Sequence, residues 1–182
     1  MGIMIATASQ FYDQLEAGLR AKLVDSIPVA GYDDIDRPEI KGPTVLIQLE
    51  DAHPGRRSSS GRYCHTQMIT AHCVVPSSLP RAVLVATDLA YEVERIVDLN
   101  NWGISPECCG QPDIQVNGDT SFLFGWDGVE ARGVQWQQNI YLGADYFDAD
   151  EERAGIRLAV NPKHPDKPGE YHPFPPDRGE EG

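Results

Sequence analysis

Val134-Gln-Trp-Gln-Gln-Asn-Ile-Tyr-Leu-Gly143 is the stretch that decides how this chain is read. Val134, Trp136, Gln138, Ile140 and Leu142 alternate with Gln135, Gln137, Asn139 and Tyr141, the period-two pattern of a strand with one buried face. A helix would instead space its apolar residues three and four apart. Just upstream, Phe122, Phe124 and Trp126 lead into the turn signal Asp127-Gly128. Ile114 and Val116 begin another strand, and Asn117-Gly118-Asp119 reads as a turn after it.

Further towards the N-terminus the period changes. Val85, Leu89, Val93, Ile96 and Val97 form one helical face over Pro80–Leu99, while Arg81, Asp88, Glu92, Arg95 and Asp98 face water. Ser77 or Ser78 is the expected cap, and Asn100-Asn101-Trp102-Gly103 the expected stop. A Cys- and Pro-bearing loop, Ser105–Pro112, follows. Before this helix, Tyr63–Val75 alternates as a strand: Tyr63, His65, Gln67, Ile69 and Ala71 on one face, Cys64, Thr66, Met68, Thr70, His72 and Val74 on the other. Thr44–Leu49 is its partner, with Val45, Ile47 and Leu49 on the better buried face. Between the two lies Asp51–Arg62, too polar to bury, which projects as a hairpin tip. Residues Val29–Gly42 read as a loop with turn formers Asp33, Asp34, Asp36 and Pro38. Phe11, Leu15, Leu19 and Leu23 give a first helix over Ser9–Val24, capped by Thr7 or Ser9.

These elements predict an α+β domain over residues 1–143: a small, mostly antiparallel sheet of about four strands packed by two helices, with a long hairpin loop. Residues 144–182 form a Pro-rich, acidic extension, with six prolines in the final 21 residues. Such a segment orders when something holds it, so Tyr146, Phe147, Tyr171 and Phe174 are candidate contacts with a neighbour.

The net charge is -13, of which the extension carries -5 and the body -8. That balance disfavours a nonspecific grip on nucleic acid phosphates. No apolar run approaches the roughly 20 residues a bilayer demands, so no membrane partner is expected. The first residues lack the basic region and apolar stretch of a signal peptide. Cys64, Cys73, Cys108 and Cys109 form no disulfide framework for a chain of 182 residues and read as free thiols.

Candidate chemistry is sparse. Cys64 and Cys73 point to opposite faces of one strand, whereas zinc needs converging ligands; no metal is expected. Cys64 and His65, as strand neighbours, cannot share the hydrogen bond a nucleophile requires. The carboxylates at Asp33, Asp34 and Asp36, and at Asp148, Asp150, Glu151 and Glu152, lack the ordered spacing of a calcium loop. No catalytic residue and no cofactor are assigned. Arg56, Arg57 and Arg62 are the one basic cluster of the body. They read either as a solvated tip or as a contact with an acidic neighbour or passing nucleic acid, with Ser58-Ser59-Ser60 leaving the loop free to order on contact.

The element order, with Pro80–Leu99 followed by Trp102 and by Val134–Gly143, resembles the tail terminator proteins of long-tailed bacteriophages, the Mu-like prophage group above all. The likeness covers residues 9 to 143. It implies a structural virion protein, made in the host cytoplasm, that caps the tail tube as a homo-oligomeric ring, a hexamer. Its implied partners are the tail tube protein and a head-side connector, and DNA passes the lumen without specific binding. The extension after Gly143 has no counterpart in that pattern. Two other readings stay open: a head-closure or neck connector subunit, and a small enzyme or ligand-binding domain.

Overall fold

A computed structural model describes residues 2–33, 40–124, 128–143, 157–158 and 172–173. The chain divides into two compact units, Met1–Tyr146 and Phe147–Gly182. The first runs α1 (Ala8–Lys22), β1 (Val29–Gly31), β2 (Thr44–Pro54), β3 (Tyr63–Pro76), α2 (Ala82–Val97), β4 (Asp113–Asp119), α3 (Ser121–Phe124) and β5 (Val129–Leu142). In the second, β6 (Arg157–Leu158) pairs antiparallel with β7 (His172–Pro173).

The five strands of the first unit lie in the order β1-β2-β3-β5-β4. Only the β1–β2 pair is parallel. The fold is therefore α+β with a mostly antiparallel sheet, one strand richer than the sequence suggests. The extra strand is β1, inside the stretch expected to be loop. Its three residues carry no periodicity, and it is held by pairing Val29, Ala30 and Gly31 with Val45, Leu46 and Ile47.

Helix α1 opens with reciprocal capping. The Thr7 hydroxyl accepts from the Gln10 N–H at 3.2 Å, and the Gln10 side chain accepts from the Ala6 N–H at 2.7 Å. Phe11, Leu15 and Leu19 are fully buried, each contributing on the order of 2 kcal/mol. Helix α2 begins later than expected. Neither Ser77 nor Ser78 caps it; the cap position is Arg81, in the left-handed region at φ 59° with no side-chain cap bond. The Ser77 hydroxyl instead donates to Glu130 at 3.3 Å, and its N–H to the Gly128 carbonyl.

Both helices cover one face of the sheet. Their apolar residues form a single core with Val45, Ile47, Ile69, Ala71, Cys73, Val134, Trp136 and Ile140. Trp102, also at positive φ, lies over Gly18 and against Trp136. One polar side chain is sunk in this core. Gln138, 1% exposed, accepts from the Trp102 indole at 2.9 Å and donates to the carbonyls of Asn100 (3.1 Å) and Gly110 (2.9 Å). The amide thus ties α2's end, the 105–112 loop and β5 together, with its donors and acceptor all used.

One turn expectation is corrected. Asn117-Gly118-Asp119 belongs to β4, paired with Val134, Gly133 and Arg132. On the partner strand, a Cβ at Gly133, opposite Gly118, would fall 2.6 Å from Thr120 Cγ2, so this strand position requires glycine. Phe122 and Phe124, read as leading into the turn signal Asp127-Gly128, lie in the short α3. The expected contacts Tyr146, Phe147, Tyr171 and Phe174 fall outside the described residues, as do Trp126, Asp127, the Asp34–Pro38 turn formers and the Asp148–Glu152 carboxylates.

Candidate functional site

The hairpin tip is shorter and better held than its composition suggests. Strand β2 runs on to Pro54, aided by a bulge between Leu49 and Ala52, which leaves residues 55–62 as the tip. Gln67 fills that bulge, donating to the Glu50 carbonyl at 2.7 Å. Gly55 passes so close to Cys64 that a Cβ would meet its Sγ at 2.5 Å. The serines bind the turn rather than loosening it: Ser58 Oγ lies 3.0 Å from Ser60 Oγ and accepts from the Arg62 N–H at 3.0 Å.

The three arginines separate. Arg62 turns inward and donates to Cys108 Sγ at 3.3 Å. Arg57 donates to the Gly61 carbonyl at 2.8 Å and lies 5.2 Å from the Tyr63 ring centre. Arg56 is exposed. The tip therefore presents two cations outward, not three.

On the sheet face away from the helices, a polar cluster forms around Glu50. Its carboxylate accepts from the Thr70 hydroxyl and, at 3.1 Å, from Gln135. Beside it His72, fully buried, has Nε2 3.0 Å from Gln48 Oε1 and Nδ1 3.3 Å from the Thr120 hydroxyl. Burial pulls the imidazole down to a pKa of about 4, against a weaker upward pull from Glu50.

The four thiols are all buried. Burial raises Cys64 and Cys73, and together with the adjacent Cys108 pushes Cys109 up to about 12. Protonated thiols are poor nucleophiles and poor ligands. Among the described residues no group of three His, Cys, Asp or Glu side chains is placed to hold a metal, and no helix is long and apolar enough to cross a membrane.

The flank made by α2 and β4 has a feature the sequence reading missed. Helix α2 turns Ala82, Ala86 and Ala90 inward, with Leu89, Val93, Ile96 and Val97. It leaves larger apolar residues outside: Val83 at 59%, Leu84 at 46% and Tyr91 at 57% exposure. Val116 of β4, 53% exposed, pairs with Gln135 and so lies on the opposite face of the sheet from α2. The outer face of α2 thus carries three large apolar residues in place of the polar ones usual on a solvated face, which marks it as a candidate contact surface. The signal was present as alanines at i, i+4 and i+8 from Ala82. A recess of about 460 Å³ lies here, lined by Tyr91, Glu94, Arg95, Asp98 and Ile114. Arg95 is paired with Glu92, and Glu94 accepts from Asn117. Asp88, Glu92, Glu94, Asp98, Asp113 and Asp119 outnumber Arg81, Arg95 and Arg132, so the flank is acidic.

No family model matches the chain, and no curated protein matches it. Among solved structures it is similar to the sheath/tube terminator of an extracellular contractile injection system, PVC, determined by cryo-electron microscopy in the extended state. The TM-score is 0.44 and the sequence identity 17%, over 87% of this chain and 64% of that one. The chain thus spans less than two thirds of the terminator's length.

Proposed function

We propose that this chain is a structural subunit that caps a tail tube as a homo-oligomeric ring, ending tube growth and offering a surface to a head-side connector. The observation that carries the reading is the α2–β4 flank. It sets Val83, Leu84 and Tyr91 outward beside β4, the sheet edge that is unpaired among the described residues, a surface a laterally packed neighbour would cover. The element order resembling tail terminators supports the same role. So does the sheet itself, whose long β3 and β5 make a stiff wall with loops at either end. The role is structural rather than catalytic. In a ring of six such subunits the acidic body repels phosphates, and DNA slides through the lumen without being held.

The test is deletion of the gene from the element that encodes it, followed by negative-stain imaging of induced particles. Overlong or irregular tails unattached to filled heads are the expected result. Tails of normal length beside leaking heads would assign the chain to the head-side connector. Intact, infectious particles would overturn the structural reading.

A further inference from the structure

The flank and the tip are complementary in chemistry and cannot meet within one chain. The tip sits beyond Tyr63, whereas Ile114, at the floor of the recess, pairs with Trp136, which pairs with Ile69. Six residues along a strand and two strand spacings across separate them, roughly 20 Å and about 10 Å. No arginine side chain bridges that gap. The recess suits a guanidinium: an exposed tyrosine ring for one face, and the Asp98 carboxylate for the N–H fork, Glu94 being already bonded to Asn117. Arg95, the cation at the recess, is already paired with Glu92, and Arg132, over the Tyr91 ring at 5.9 Å, is tied to Asn117.

We propose that a second copy of this chain seats its hairpin tip on the α2–β4 flank, with Arg56 entering the recess beside Tyr91 and Asp98 and Arg57 lying along its rim. The inference rests on the self-assembling reading above and names the surfaces through which copies join. Engaged in one direction, the tip of each copy on the flank of the next, the contact is head-to-tail, the kind that closes into a ring or runs on as a filament. The outward Val83 and Leu84, on the same helix, are covered by the neighbour's tip and strand ends.

The test is sedimentation velocity of the full-length chain as wild type, Arg56→Glu and Asp98→Lys, each checked for an unchanged thermal melt. The wild type is expected to associate, and each reversal to weaken association by about tenfold. A head-to-tail contact makes one further demand. Mixing the two variants in equal amounts restores association, since Glu at position 56 of one copy meets Lys at position 98 of the other. Variants that associate like wild type, a mixture that stays dissociated, or a wild type monomeric at every concentration would each overturn the contact. If particle imaging shows the terminator phenotype while the charge reversals are silent, the capping role stands and this contact falls.

Discussion

Gln138 and His72 show how single buried polar groups are held by partners distant in sequence. Gln138→Leu keeps the volume but strips Trp102 Nε1 and the Asn100 and Gly110 carbonyls of their partner. The expected cost is about 3 kcal/mol, read from urea unfolding with the m-value unchanged. For His72 the sign follows from its depressed folded pKa of about 4 against 6.5 unfolded. Between those values the unfolded chain takes a proton that the folded one refuses, so stability is full above about pH 6.5 and falls as pH drops towards 4. The loss is on the order of 3 kcal/mol. His72→Gln should flatten that part of the stability–pH curve relative to wild type; an unaltered slope would assign the pH dependence to carboxylates. Neither role was legible in the sequence. The alternation placed Gln138 on the buried face, but its partners come from a loop some 30 residues away that has no periodicity of its own.

Helices illustrate where local preference and packing pull apart. Gly18 lies mid-α1, where alanine would ordinarily stabilise by close to 1 kcal/mol. A Cβ there would stand 2.7 Å from the ring of the buried Trp102, so Gly18→Ala is expected to destabilise by about 1 kcal/mol net in a thermal melt. In α2 the buried alanines and the exposed Leu84 predict opposite tolerances. Ala90→Leu should cost about 2 kcal/mol by overfilling the helix–sheet contact, whereas Leu84→Ser should leave monomer stability within about 0.5 kcal/mol. The stripes of α1, α2, β3 and β5 were readable because each repeats its period for several turns or residue pairs. Strand β1 is too short to repeat anything. At Asn117-Gly118-Asp119 the turn preference of three residues yields to a ladder with β5. Ser77 and Ser78 lose the cap because the chain turns once more, the Leu79 N–H reaching the Pro76 carbonyl, before α2 starts. The outward patch on α2 stayed hidden because reading one apolar face invites treating the remainder as solvated.

At the scale of the whole molecule, the two units make a clean division testable by truncation. Ending the chain after Gly143 should leave the melting temperature of the body unchanged while weakening ring or particle assembly, as expected if the extension clasps a neighbour; unimpaired assembly would refute the clasp. The middle strand of the sheet carries a different consequence. Strand β3 is laddered to β5 along its full length, from Tyr63 with Leu142 to Pro76 with Val129, partners 79 and 53 residues apart. Strand β2 pairs with β3 early, as a neighbour in sequence, but β5 is among the last parts of the body to be synthesised. The nascent chain therefore carries an open hydrogen-bonding edge down its central strand while α2 and β4 are being made. Long-range closure of this kind makes folding slow, and an edge left waiting is a template for wrong partners. Order of synthesis, more than final stability, then sets how much of the newly made protein escapes aggregation.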